Sequence, residues 1–256
     1  MADNLTRSAA YVVVTALAFS VTPAVLVAQN ASRQPMLRDI SRELACGPEA
    51  VVLPPIPSIR VIASQEPGKR LFGTGETVIV SGGSAQGVQV GQEYFVKRVV
   101  NDQFAMPVAG FIPVSISTAA RLRIVEVETD LAFGTLFDPC DGVLDGDYLV
   151  PYVRPVVPVI EAAGEPDYAS AGVIVLGSER RQIGAAGSLM VLDRGTDHGV
   201  RPGQRATVFR ATLGGAGPVV RIGEATAMVV RQDTSVVRIE SSRDAVYVGD
   251  RVALHK

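Results

Sequence analysis

Tryptophan is absent, and histidine and cysteine occur only twice each in 256 residues. Two histidines are too few for most His-rich metal sites. Two cysteines cannot build a disulfide-scaffolded miniprotein or a four-cysteine zinc site. Aromatic residues make up 5% of the chain, and several must fill the core, so sugar binding by ring stacking is not advertised. Neither charge is in excess: Lys+Arg 24 against Asp+Glu 26 leaves a net −2. That balance argues against a nucleic-acid partner, which would ask for a basic surplus. Phosphate-loop chemistry is missing too. Gly68-Lys69-Arg70 lacks the upstream Gly and the following Ser/Thr of a Walker loop, and Gly73-Thr74-Gly75 is a lone fragment with no helix after it. No G-x-S-x-G and no H-E-x-x-H occurs. The chain therefore carries no expected catalytic, cofactor or metal site.

What is present is a 47% hydrophobic chain with 25 Gly and 16 Pro. That excludes wholesale disorder and allows one or two domains. From Ala9 to Ala28 no residue is charged; Arg7 precedes the run, Pro23 interrupts it and small residues close it. Charge, apolar core, breaker and small residue in that order form a signal peptide over 1–28, with Gln29 opening the mature chain. The alternative is an uncleaved anchor, since about 20 apolar residues span a bilayer. A membrane partner is expected only in that case.

Export changes how the cysteines read. In an oxidising compartment Cys46 and Cys140 are expected to pair, closing a loop of 94 residues and tying the N-terminal segment to the first globular unit. The alternative is two unrelated buried thiols. Glu43-Leu44-Ala45-Cys46 is not a lipobox, because Glu stands where an aliphatic residue belongs.

The chain repeats itself. Val61–Arg98 aligns without gaps to Val173–Arg210 at a spacing of 112, matching Gly75 to Gly187, Gly83 to Gly195, Gly87-Val88 to Gly199-Val200, Gly91-Gln92 to Gly203-Gln204, and Arg98 to Arg210. Beyond a hairpin of different length the match resumes at 103, and Gly146-Asp147 meets Gly249-Asp250. Runs such as Thr77–Val80, Ile124–Val127, Leu189–Leu192 and Val236–Ile239 are short, β-branched and bounded by turn residues. The expected fold is all-β: two tandem small β-barrel-like domains, 58–152 and 172–256. Arg201-Pro202-Gly203-Gln204 fits a type II turn, with Pro presetting φ and Gly accepting a positive φ. Gln89-Val90-Gly91-Gln92 makes the same turn. Ser81-Gly82-Gly83 and Asp193-Arg194-Gly195 read as tight turns leaving a strand, and Gly146-Asp147 and Gly249-Asp250 as turns entering the last one. The repeated residues thus read as turn makers and core formers.

Residues 29–57 form an N-terminal segment and Pro-rich linker. Residues 29–35 read as a flexible start, and 36–45 as a short amphipathic helix with Leu37, Ile40 and Leu44 on one face. Residues 153–171 form a second Pro-rich, semi-rigid linker, in which Val156–Ile160 could pack as an edge strand. Three constellations each have a sharp and a plain reading. Asp141, Asp145 and Asp147 form either a calcium site or two turns. Glu126 and Glu128 form either an acid–base pair or a solvent face. Lys69-Arg70 and Arg180-Arg181, in matching loops, are either polyanion contacts or solvated charge. His198 reads as a plain loop residue.

The phrases Ile62–Glu66, Phe72–Val80, Gly83–Gln92 and Cys140–Pro151 resemble a group of poorly characterised bacterial envelope proteins. Some of these carry a peptidoglycan-binding LysM domain, although no LysM-like segment occurs here. Leu192–Gly195 and Gly199–Gly203 are similar to the C-terminal β-domain of flagellar assembly protein T. The resemblance covers residues 59–256 and carries over no catalytic residue. It implies a periplasmic or secreted all-β protein with a scaffold or wall-associated role. The expected partner is another envelope protein or, as the alternative, a cell-wall glycan.

Overall fold

The computed structural model describes residues 40–51, 53, 57–108, 110, 112–212 and 217–256. The expected signal peptide, the 29–35 segment and Leu37 lie outside them. Among the described residues no helix is long and apolar enough to cross a membrane. Residues Asp39–Lys256 form one compact unit.

The fold is all-β. A short helix, α1 (Ile40–Ala45), leads into β1 (Glu49–Val51). The first half then runs through β2 (Val61–Ser64), β3 (Leu71–Phe72), β4 (Thr77–Ser81), β5 (Glu93–Val100), β6 (Val114–Val127), β7 (Leu131–Phe137), β8 (Val143–Leu144) and β9 (Tyr148–Pro151). Its sheet has the order β2-β4-β7-β6-β5-β9. Its ends meet through an Arg60–Tyr148 bridge, with Val61 N–H donating to the Asp147 carbonyl at 2.8 Å. The second half repeats the order with β10 (Gly172–Gly177), β11 (Ile183–Gly184), β12 (Leu189–Leu192), β13 (Arg205–Ala211), β14 (Val219–Val230), β15 (Ser235–Ser242), β16 (Val246–Tyr247) and β17 (Arg251–Leu254). Its six main strands close as the barrel β10-β12-β15-β14-β13-β17.

Alternation drives this folding. β7 (Leu-Ala-Phe-Gly-Thr-Leu-Phe) buries every second residue, as a strand with one face on a core must. Each half has its own core, one around Val61, Val80, Leu122 and Leu136, the other around Ile174, Leu192, Ala225 and Ile239.

The pairing corrects the gapless alignment in one place. Val61 faces Val80, and Ile174 (not Val173) faces Leu192. The β2–β3 loop is one residue longer than its counterpart, so β2 matches β10 at a spacing of 113. A one-residue slip would turn every side chain to the other face, and the burial agrees: Val61 and Ile174 are both 0% exposed.

The repeated glycines divide into two kinds. Gly87, Gly91, Gly146, Gly199, Gly203 and Gly249 all have positive φ, as turns of these types require. Gly83 and Gly195 do not. They are extended (φ −132° and −136°) and start short 3₁₀ turns. Their requirement is closeness: a Cβ at Gly83 would lie 2.3 Å from the Glu128 carbonyl oxygen, and one at Gly195 2.3 Å from that of Arg231. These two positions do open turns that leave a strand, and close backbone approach is what demands glycine there.

The expected edge strand at Val156–Ile160 is also not formed. No strand occurs there, since Pro155 and Pro158 have no N–H to give a ladder.

Candidate functional site

The segment from α1 to β1 does more than tie itself to the first half. Cys46 and Cys140 are disulfide-bonded, Cα to Cα 5.5 Å, and Arg42 donates to the Pro139 carbonyl at 3.1 Å. Its apolar face, however, packs on the second half: Leu44 joins Leu189, Met228 and Val236, with Ile40 beside them. Glu49 then accepts from both halves, Lys97 at 2.5 Å and Arg231 at 3.0 Å. Ala50 of β1 and Val108 of the first half cover Val175, Leu176 and Val191 of the second, and Met106 N–H donates to the Val175 carbonyl at 2.9 Å. The two halves are thereby joined along a seam, with the N-terminal segment as its filling.

Clefts open around this N-terminal segment. One, of about 360 Å³, is lined by Arg42, Phe95, Arg121, Asp138, Tyr152 and Arg154 around the disulfide. Arg121 on β6 is fixed there. It donates to Glu93 and to Asp138, the latter at 2.6 Å, and its guanidinium lies 3.8 Å from the Tyr152 ring centre and 4.5 Å from that of Phe137. Hydrogen bonds from Arg123 and Arg121 hold the Glu93 carboxyl below its ordinary range, against the opposing pull of burial. Asp138 sits at a left-handed φ of 47°, which Asp tolerates better than most residues.

Family-model and curated-protein comparisons give no match for this chain.

The second linker is the other notable surface. Tyr152 N–H bonds the Glu93 carbonyl at 2.9 Å, and Glu161 N–H bonds the Gly203 carbonyl at 2.8 Å. Between these anchors the backbone makes no backbone hydrogen bond to a described residue. Burial repeats every third residue: Tyr152, Pro155, Pro158 and Glu161 face the body. Val153, Val156 and Val159 face outward at 74%, 80% and 89% exposure. Three residues per turn is the period of a polyproline II ribbon. Arg201 grips the far end through Glu161 at 2.9 Å.

The remaining expected residues fall away from these clefts or are occupied. Lys69 is taken by Glu66 and Glu76, Arg70 by Asp145 and Arg181 by Glu179. Arg180 lines a larger cleft of about 710 Å³ with Arg98 and Asp141, which adjoins the first one and shares Cys46, Thr118 and Cys140 with it. Glu126 and Glu128 are exposed. His198 caps its own turn, its Nδ1 accepting from Gly195 N–H at 3.3 Å. His255 is buried, its Nε2 2.9 Å from Thr207 Oγ1. Desolvation lowers its pKa from the ordinary 6.5, opposed by Glu224 and reinforced by Arg221 and Arg205.

Asp147 and Asp250 carry more than a turn. Arg98 clasps Asp147 at 2.7 and 2.6 Å, and Arg210 clasps Asp250 at 2.7 and 2.7 Å. Each carboxylate also accepts a backbone N–H at 2.8 Å, from Leu144 and Tyr247 respectively. The same clip is thus built twice. Its signal was present in the repeat, because Arg98 matches Arg210 while Asp147 matches Asp250. Treating the matched residues as turn makers alone missed it.

Proposed function

We propose that this chain is an exported, non-catalytic envelope protein that acts as a scaffold, holding a protein partner on the Pro-spaced ribbon 152–161. The carrying observation is the ribbon itself: pinned at both ends, unpaired between them, with Val153, Val156 and Val159 turned to solvent. Preformed polyproline II ribbons lose little entropy on docking into a partner's groove. The Cys46–Cys140 bond supports an oxidising compartment. The resemblance to envelope proteins supports the same compartment and a scaffold role. A cell-wall glycan is the alternative partner. It is less favoured because Phe95 and Tyr152 pack edge to face at 4.9 Å and Arg121 covers Tyr152, which leaves little ring face for a sugar.

Site-specific photocrosslinking in the native cell tests this. A photoreactive residue at Val156 is expected to give a discrete protein adduct in the envelope fraction, lost when Val153 and Val159 become Asp. The same residue at Val90, 64% exposed on the first half, is the control. No adduct from Val156, together with saturable retention of the pure protein on sacculi, would replace the scaffold reading with the glycan one.

A further inference from the structure

We infer that the cleft beside the disulfide, walled by α1, the first half and the ribbon, binds a carboxylate carried on a small polar body, such as an acidic sugar or a short peptide. This goes beyond the ribbon's partner: the ribbon's outer valines play no part in it.

Three guanidinium groups line the cleft, those of Arg42, Arg121 and Arg154, against one carboxylate, Asp138. Arg121 is spent on Glu93 and Asp138 and stacked on two rings, so it serves as a fixed wall. The other two retain donors. Arg42 has one partner among the described residues, the Pro139 carbonyl. Arg154 has no hydrogen bond or ion pair to a described residue. They approach from opposite structural origins. Arg42 comes from α1, fixed by the disulfide next to it; Arg154 comes from the ribbon, two residues past its Tyr152 anchor. Guanidinium forks match the planar geometry of a carboxylate.

The rest of the lining sets the size and polarity. About 360 Å³ suits a body of sugar or dipeptide size. Ser41 and Thr118 carry hydroxyls in the lining, and Asp138 supplies an acceptor for a ligand hydroxyl or amide. Asp138 also disfavours a dianion, so a singly charged carboxylate fits better than phosphate. Phe95 and the disulfide give the apolar part of the wall.

The test uses the full chain with its disulfide intact. N-acetylmuramic acid and N-acetyl-alanyl-alanine are titrated by calorimetry and ligand-observed NMR. N-acetylglucosamine and the dipeptide amide are the neutral counterparts, and inorganic phosphate the competing anion. At least one acid is expected to bind saturably, roughly tenfold more tightly than its neutral counterpart and than phosphate, the scale of a charge-assisted hydrogen bond. Which acid binds distinguishes the sugar source from the peptide source. Arg154→Gln is expected to weaken that binding roughly tenfold while melting like the wild type, because Arg154 supports no contact in the fold. Arg180→Gln, in the adjoining cleft and absent from this lining, is expected to leave it unchanged. Acid and neutral forms binding alike, phosphate binding as well as the acids, an unaffected Arg154→Gln variant, or no saturation by about 10 mM would each overturn the assignment.

Discussion

Replacing Asp250 by alanine should test whether the twinned arginine clip holds the barrel together. Asp250 is 4% exposed. It takes two hydrogen bonds from Arg210 and one from the Tyr247 N–H, thereby fastening β13 to the β16–β17 turn. Removing one partner of a buried ion pair costs about 3–5 kcal/mol. Arg210 is 35% exposed and has Asp244 at 3.4 Å as a fallback, so water and that second carboxylate recover part of the loss. We expect about 2–3 kcal/mol, a fall in Tm of roughly 5–9 °C for a body of this size. Asp250→Asn keeps an acceptor for Tyr247 but drops the charge, so its loss should be intermediate. Asp147→Ala, the same change in the other half, should cost at least as much, because Arg98 is only 25% exposed. The comparison variant is Asp145→Ala. Its partner Arg70 is 80% exposed, so the change should cost ~0.5 kcal/mol or less. Urea and thermal melts of the four variants give the ordering. If Asp250→Ala melts within ~0.5 kcal/mol of the wild type, or alongside Asp145→Ala, the clip is not a source of stability and the reasoning fails.

Three further outcomes follow from the structure. Replacing Cys46 and Cys140 by serine should cost up to about 4.7 kcal/mol on the loop-entropy model, and limited proteolysis should then cut within Ile40–Val51, which the oxidised protein protects. Stability should fall as the pH drops below about 6.5, because burial keeps His255 neutral in the fold while the unfolded chain takes up a proton near 6.5. Above 6.5 this contribution is constant, and His255→Gln should flatten the Tm profile below it. Gly195→Ala should destabilise more than Gly199→Ala in chemical melts: the first drives a Cβ to 2.3 Å from a carbonyl, while the second meets nothing within 4 Å and carries only left-handed strain, about 1–2 kcal/mol.

The repeat, the all-β character and the disulfide were readable because each leaves a local mark: a spacing, an alternation, two lone cysteines. The compensations inside the cores leave no such mark. Phe72 and Val78 of the first half correspond to Gly184 and Met190 of the second. A Cβ on Gly184 would lie 2.7 Å from the Met190 sulfur, so the methionine reaches into the space beside the glycine where the other copy carries a phenylalanine. Leu122 and Gly134 likewise trade volumes with Ala225 and Val237, and a Cβ on Gly134 would come within 2.4 Å of Leu122. Bulk moves between neighbouring positions while each single identity is lost, which hides such positions from residue-by-residue matching. The seam was hidden for a different reason. Glu49 meets Lys97 and Arg231 across intervals that no periodicity spans. Val175 is fully buried while its counterpart Ile62 is 47% exposed, a difference set by Ala50, Ala105 and Val108, which pack over Val175.

That seam has a consequence for the order of assembly. Ile40 and Leu44 leave the ribosome early, but their docking surface, Leu189, Met228 and Val236, is among the last to be made. Contacts so distant in sequence form late and slowly. The Cys46–Cys140 bond needs only the first half. Once closed, it keeps α1 tethered beside its future docking surface at a high effective concentration. A chain truncated before residue 172 would carry this apolar helix face with nothing to cover it, and should aggregate where the whole chain does not.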